Sequence, residues 1–131
     1  MYTSTGILRS AGPSQKEGWF YLECDSEIAS YYHWFYNRAG FHWKSCMNGV
    51  HITFLAGEKD ERIVTLEEMK PFVGMQLEFH YDNVVWTNSR AFWLPVLCFG
   101  LDRIRLSLGL TPRFLYHVTL GNNKYLENKH E

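Results

Sequence analysis

A four-residue pattern that occurs twice constrains this chain more than any other feature. The copies are His51-Ile52-Thr53-Phe54 and His117-Val118-Thr119-Leu120, and each reads histidine, apolar residue, threonine, apolar residue. Successive side chains of a β-strand point to opposite faces of a sheet, so each histidine shares a face with its threonine. If the two strands lie side by side, two imidazoles and two hydroxyls converge on one place. The pattern therefore predicts a phosphate site that needs no metal.

The remaining segments predict an alternation of strands and helices. Apolar and aromatic runs bounded by turn residues predict strands at 19–23, 50–56, 76–81, 84–87, 91–97 and 114–121. Helices are expected after the possible N-caps Asp25 and Ser26, at the capping box that begins with Thr65, and from about Phe99. An α+β domain of two small antiparallel sheets, with helices outside, fits this order. The first helix carries an aromatic stripe that we expect to be its buried face, formed by Ile28, Tyr31, Tyr32, Phe35, Tyr36 and Ala39.

Length and composition favour a single domain over 1–131. Residues 1–18 are rich in Ser, Thr, Gly and Pro and predict a flexible arm or a lid, and residues 122–131 predict a polar tail. No apolar run is long enough for a membrane span, and no secretory signal is visible. The 3 cysteines lack metal-ligand spacing and fit a reducing cytosol, so we expect a cytoplasmic protein.

The formal net charge of -1 argues against a broad electrostatic grip on long nucleic acid. A small nucleotide stays compatible with it, because a few local cations suffice to hold one. The predicted partner is therefore a small nucleotide, and neither a membrane nor a cofactor is expected. The oligomeric state stays open.

The repeated pattern suits the cleavage of a phosphodiester. That reaction needs a base for the nucleophile and an acid for the leaving oxygen, and a pair of histidines supplies both near neutral pH. His51 and His117 are the candidates, in either order. The hydroxyls of Thr53 and Thr119 would donate hydrogen bonds to the phosphate oxygens as negative charge builds on them.

Three other interpretations compete with this one. Two histidines could ligate zinc, but a third ligand is required and neither motif has an Asp, Glu or Cys at helpful spacing. A Ser or Cys hydrolase is disfavoured, since no G-x-S-x-G elbow or activated cysteine is visible. A His-x-Thr on the polar face of a strand is also ordinary when it occurs once. Two copies on two predicted strands favour function.

The two motifs resemble those of the 2H phosphoesterase superfamily, which is named for paired His-x-Thr or His-x-Ser motifs on facing lobes. The resemblance extends over residues 19–121, including the hairpin, the helix and the second motif in that order. It implies a bilobal α+β fold in which two small antiparallel sheets face a central cleft. It also implies metal-independent hydrolysis of RNA-like phosphodiesters, with His51, Thr53, His117 and Thr119 as the catalytic residues.

In its short length and compact motif spacing, the chain is most similar to the anti-CBASS phosphodiesterases, which are phage enzymes that degrade cyclic-oligonucleotide alarm signals. This resemblance implies a cyclic oligonucleotide substrate and action in the host cytoplasm. Cleavage of RNA ends with 2′,3′-cyclic phosphates or of 2′,5′-linked oligonucleotides is an alternative within the superfamily. A binding protein that holds a nucleotide without cleaving it is a third possibility.

Aromatic and basic residues near the predicted strands are the candidates for substrate binding. Aromatic faces stack on bases, and cations pair with phosphate. The residues predicted to contact the substrate are Trp19, Tyr21, Trp43, Lys44, Tyr116 and Lys124. Further candidates for stacking on a base are Trp86, Phe92 and Trp93. Most of these aromatic residues could equally pack in a core, and both lysines could be solvated surface charges.

Overall fold

The computed structural model describes residues 1–11, 17–40, 50–88 and 90–122. These residues form strands and helices of the expected α+β class. The elements are β1 (Tyr2–Ser10), β2 (Trp19–Cys24), α1 (Ser26–Arg38), β3 (His51–Ala56), α2 (Leu66–Met69), β4 (Gln76–Tyr81), β5 (Trp86–Thr87), β6 (Ala91–Leu97), α3 (Phe99–Ser107) and β7 (Tyr116–Asn122), with a short 3-10 turn at Gly57–Lys59.

The strands form one antiparallel sheet that closes on itself. Its order is β4-β1-β2-β3-β7-β6-β5, and a further pairing of β4 with β6 joins six of the strands into a barrel. The short β5 pairs with β6 beyond this ring. The pairing of β4 with β6 involves only His80 with Leu97 and Tyr81 with Val96, so the ring closes at one end of these two strands.

The barrel consists of two halves with the same order of elements. The first half runs β1, β2, α1, β3, and the second runs β4, β6, α3, β7. The third strand of each half carries one copy of the His-x-Thr pattern. These two strands are neighbours at the centre of the sheet order, with their partners arranged symmetrically outward. The two His-x-Thr copies therefore occupy equivalent positions in two halves of one sheet.

The apolar side of the sheet fixes the register of the central strands. Leu22, Ile52, Leu94 and Val118 come from four adjacent strands and are fully buried. Each such side chain contributes about 1.5–3 kcal/mol when it is fully buried. A slip of one residue would turn these side chains to solvent and the histidines to the core, so the pairing is strongly specified.

Two helix caps form as the sequence predicts. The Asp25 carboxylate accepts a hydrogen bond from the backbone N–H of Glu27 at 3.0 Å and caps α1. The Thr65 hydroxyl accepts one from the backbone N–H of Glu68, whose carboxylate in turn accepts from the Thr65 N–H. None of the helices among the described residues is long and apolar enough to cross a membrane.

The prediction of a flexible arm over residues 1–18 is wrong for the part that forms β1. Tyr2–Ser10 pairs with β2 on one side and with β4 on the other. Leu8 in this strand is fully buried. The Ser, Thr and Gly composition indicated a loop, but pairing along both sides and the burial of Leu8 decide the structure.

The charged segment at 58–62 holds one side of a buried ion pair. Arg105 of α3 forms two hydrogen bonds with the Asp60 carboxylate at 2.9 and 3.0 Å. The two side chains are only 4% and 8% exposed. Half of the predicted buried stripe of α1 is exposed, namely Tyr31, Phe35 and Ala39. Tyr32 is buried as expected, and Ile28 and Tyr36 are partly buried against the core. The predicted tail beyond Asn122 and residue Cys46 lie outside the described residues.

Candidate active site

The two His-x-Thr strands are direct neighbours. Strand β3 pairs antiparallel with β7 through Ile52 and Val118. This register places His51 beside Thr119 and Thr53 beside His117, on the side of the sheet that turns away from the apolar core. In a regular antiparallel ladder, diagonal neighbours such as the two histidines are about 7–8 Å apart. We refer to these four residues as the His/Thr quartet.

A β-bulge occurs at the same position of both motifs. In β3 the register shifts so that Phe20 pairs with Leu55 and Tyr21 pairs with Thr53, which leaves Phe54 as the extra residue. In β7 the corresponding shift leaves Leu120 as the extra residue. Each bulge therefore lies at the fourth residue of the pattern, directly after the threonine. Bulges bend strands and re-aim side chains, and they are frequent next to active sites.

Each threonine of the quartet is paired with an aromatic residue of the next strand outward. Tyr21 of β2 pairs with Thr53, and Trp93 of β6 pairs with Thr119. The ring of Tyr21 also meets the imidazole of His51 edge to face, with centroids 5.7 Å apart. The quartet is thus flanked by two aromatic residues in equivalent positions of the two halves.

These flanking strands carry a repeat that sequence reasoning missed. Phe20-Tyr21-Leu22 precedes α1 and Phe92-Trp93-Leu94 precedes α3. Both triplets read phenylalanine, larger aromatic residue, leucine, and both lie beside a His-x-Thr strand. The repeat could have been found by aligning the chain with itself. The repeat is hard to see in the sequence, because the segment between the triplet and the His-x-Thr motif is longer in the first half than in the second.

The two histidines have different partners across the sheet. Glu23 pairs with His51, and Pro95 pairs with His117. Glu23 also approaches Arg9, with the Oε2 and Nε atoms 3.9 Å apart. A carboxylate is therefore present next to one imidazole of the quartet and absent from the matching position beside the other.

The pKa of His117 lies below its ordinary value of 6.5. Partial desolvation of the ring is the main cause, and the positive charges of Arg113 and His51 add to it. The residue as a whole is exposed, so its ring is partly screened yet reachable from solvent. His117 is consequently neutral at pH 7 and can accept a proton.

The turn before the second motif is strained. Phe114 has a φ of 62°, which is unusual for a residue other than glycine. The Asp102 carboxylate accepts hydrogen bonds from the backbone N–H groups of Arg113 and Phe114 at 3.0 and 3.3 Å. Such strain costs about 1–3 kcal/mol and persists only where surrounding contacts hold it.

An apolar cleft of about 590 Å³ adjoins His117. It lies between the β5–β6 hairpin, the end of β4 and the turn before β7. Its wall includes Trp86, Trp93, Pro95 and Leu97. A cleft of this size can hold one or two nucleobases. Trp86 and Trp93 are among the predicted candidates for base stacking. Pro95 was not predicted, because its closeness to His117 depends on the pairing of β6 with β7.

Several predicted substrate contacts are not brought to the quartet. The Tyr116 side chain is only 2% exposed, and its hydroxyl donates a hydrogen bond to Asp102, so it serves the core. Trp19 pairs with Ala56, three residues beyond Thr53, and its ring packs against Gly57. Of the six residues predicted to contact the substrate, Tyr21 is the one that lies beside the quartet in the described part of the chain, and the further stacking candidate Trp93 lies beside it as well. Trp43, Lys44 and Lys124 lie outside the described part of the chain.

No group of three or more His, Cys, Asp or Glu residues in the described segments is arranged to hold a metal ion. Comparison with protein-family models, with curated proteins and with solved structures found no match to this chain.

Proposed function

We propose that this protein is a metal-independent phosphodiesterase of the 2H type that acts on small RNA-like nucleotides. The observation that carries the proposal is the pairing of Ile52 with Val118, which turns both imidazoles and both threonine hydroxyls to one face. The two halves of the barrel, each with one helix between its second and third strands, correspond in this proposal to the two lobes of that fold.

The proposed reaction is an in-line displacement at phosphorus. A ribose 2′-hydroxyl gives its proton to His117, and its oxygen forms a bond with the phosphorus. The bond from phosphorus to the 5′-oxygen breaks, and His51 donates its proton to that oxygen. The products are a 2′,3′-cyclic phosphate and a 5′-hydroxyl. Thr53 and Thr119 donate hydrogen bonds to the non-bridging oxygens as their charge rises.

The lowered pKa of His117 supports this order of roles. A histidine that is neutral at pH 7 is ready to take a proton, whereas the acid must enter the reaction protonated. Glu23, paired with His51 in the register, is suited to orient that imidazole. Hydrolysis of the cyclic phosphate would use the same two groups in exchanged roles.

The surroundings of the quartet favour a small substrate with bases on both sides of the reacting phosphate. Tyr21 and Trp93 flank the quartet, and stacking on an aromatic ring contributes about 1–3 kcal/mol per base. The net charge of -1 disfavours a long polyanion. We therefore propose cyclic oligonucleotide messengers of antiviral defence as the substrate, degraded in the host cytoplasm by a phage-encoded enzyme.

A panel of substrates tests the proposal. Purified protein is incubated, with and without a chelator, with 3′–5′-linked cyclic dinucleotides and trinucleotides. RNA with 2′,3′-cyclic ends and 2′,5′-linked oligonucleotides complete the panel. Chromatography should show linear products from the cyclic substrates, in equal amount with the chelator. If only the RNA ends or the 2′,5′ linkages are cleaved, those nucleotides and not the cyclic oligonucleotides are the substrates.

Two controls separate catalysis from binding. If heat denaturation releases intact nucleotide and no products, the protein binds the nucleotide without cleaving it. His33→Gln alters a histidine of α1 that hydrogen-bonds to Asn37 and does not belong to the quartet, so it should cleave like the wild type. A cyclic substrate that lacks the attacking 2′-hydroxyl should resist cleavage.

A further inference from the structure

Helix α1 exposes large aromatic side chains. Tyr31, Trp34 and Phe35 are 59%, 56% and 51% exposed, although their spacing predicted a buried stripe that included Tyr31 and Phe35. Leaving such rings in water gives up the free energy that burial would provide. A contiguous group of exposed apolar residues usually marks a surface that binds something.

Two of these rings, Tyr31 and Phe35, line a cavity of about 690 Å³. The cavity lies between α1, the beginning of β1 and the segment that follows β4. Its size is within the range of small-molecule sites. Six aromatic residues line it, namely Tyr2, Tyr31, Tyr32, Phe35, Tyr36 and Tyr81.

The rings of this cavity hold one another in fixed orientations. Tyr2 stacks on Tyr81 with centroids 5.6 Å apart. Tyr31 meets Tyr32 edge to face with centroids 5.0 Å apart. A set of rings in several orientations presents electron-rich faces from more than one direction, as an aromatic cage does.

The charges of the lining are negative. Asp25 and Glu27 line the cavity at the beginning of α1, and none of the described lining residues is Lys, Arg or His. Burial raises the pKa of Tyr32 to about 12 and raises that of Tyr81 as well, so these two phenols stay neutral. Two carboxylates and several neutral rings repel a phosphate and attract a cation.

We propose that this cavity binds a small organic cation of the alkylammonium class. The ammonium group lies over the tyrosine faces, and Asp25 and Glu27 balance its charge. The site is separate from the His/Thr quartet, none of whose residues lines it. Binding there therefore does not depend on the proposed phosphodiesterase activity.

Calorimetric titration of the whole protein with choline and with spermidine tests this site. The uncharged analogue of choline, 3,3-dimethylbutan-1-ol, has nearly the same shape and controls for simple apolar binding. We expect saturable binding of at least one of the two cations. We also expect choline to bind at least tenfold more tightly than the alcohol if choline is the cation that binds.

Variants locate the binding. Tyr31→Leu and Glu27→Gln should each weaken binding of the cation at least threefold. Trp34→Leu is the matched control, since Trp34 is a similarly exposed aromatic residue of α1 that contacts Arg38 and does not line the cavity. His51→Ala should bind the cation like the wild type. The proposal is overturned if neither cation binds saturably, if choline binds but the alcohol binds equally well, or if Trp34→Leu weakens binding as much as Tyr31→Leu.

Discussion

Tyr116, the residue directly before His117 in the chain, donates a hydrogen bond of 2.7 Å from its hydroxyl to the buried carboxylate of Asp102. The same carboxylate accepts hydrogen bonds from two backbone N–H groups of the preceding turn. Burial raises the pKa of the Tyr116 phenol, and the bond to Asp102 raises it further, so this phenol stays protonated. Helix α3 thereby fixes the strained turn that leads into the second motif.

Removing either partner of this bond should destabilise the protein. Asp102→Ala leaves three donors without their acceptor, so we expect a loss of about 3 kcal/mol or more in the free energy of unfolding. Tyr116→Phe removes one donor and should cost about 1–2 kcal/mol. Urea unfolding measures both losses. Tyr21→Phe, which alters a tyrosine on the solvent-facing side, is the control, and an equal loss there would contradict the account.

The ion pair between Arg105 and Asp60 should matter far more than the exposed pairs. Asp60→Ala leaves a buried guanidinium without its partner, which typically costs about 3–5 kcal/mol. Burial opposes ionisation of Asp60, but the hydrogen bonds from Arg105 hold its pKa below the usual value. Glu67→Ala removes a carboxylate whose ion pair with Lys70 is largely exposed, and should change stability by less than about 1 kcal/mol. Similar unfolding midpoints for the two variants would contradict this ranking.

The pKa of His117 should respond to Arg113. Arg113→Gln removes one of the positive charges that lower this pKa, so the His117 titration observed by NMR should move upward. Arg103→Gln changes an exposed arginine of α3 and should leave that titration in place. No movement in the Arg113 variant would show that its charge does not reach the imidazole.

The same lowered pKa predicts how stability depends on pH. Below pH 6.5 the histidine of the unfolded chain takes up a proton more readily than His117 in the folded protein does. The unfolded state then binds more protons, so stability falls as the pH falls from 6.5 through the folded-state pKa. His117→Gln should lose less stability over this window, as measured by urea unfolding at several pH values. Parallel losses in the two proteins would contradict the prediction.

The threonine hydroxyls should act in the reaction and not in folding. Thr53→Val and Thr119→Val keep the size of the side chain and remove the hydroxyl, so each should lower turnover of the preferred cyclic nucleotide about 100-fold. Both threonines lie on the solvent-facing side of the sheet, so unfolding should change little. Thr87→Val on β5 is the control, and equal effects at all three positions would argue against phosphate binding by the quartet.

The central strands of the fold could be predicted because the pattern that indicates them lies within each strand's own sequence. Alternation in His51–Ala56 and in the second motif sorts apolar from polar side chains without reference to the rest of the chain. The capping box at Thr65 is equally local, and it forms as expected. The α+β class followed from the order of such segments.

The features that sequence reasoning missed depend on contacts between distant segments. β1 is a strand because β2 and β4 pair with its two sides, which its Ser and Thr content does not reveal. Tyr116 is next to His117 in the chain, yet it faces the core because adjacent residues of a strand point to opposite sides. Trp93 was a predicted candidate for base stacking, but its place beside Thr119 follows from the pairing of β6 with β7. The aromatic stripe of α1 has helical spacing, but the barrel covers only part of it.

The measurement that tests the central claim most directly is turnover of the preferred cyclic nucleotide by His51→Ala, His117→Ala and the variant with both changes. If the two imidazoles act on one phosphodiester, each single change should lower turnover roughly 100- to 10,000-fold. The double change should then lower it little further, since residues that act as a unit are not additive. Wild-type turnover in either single variant, with the fold intact, would contradict the account.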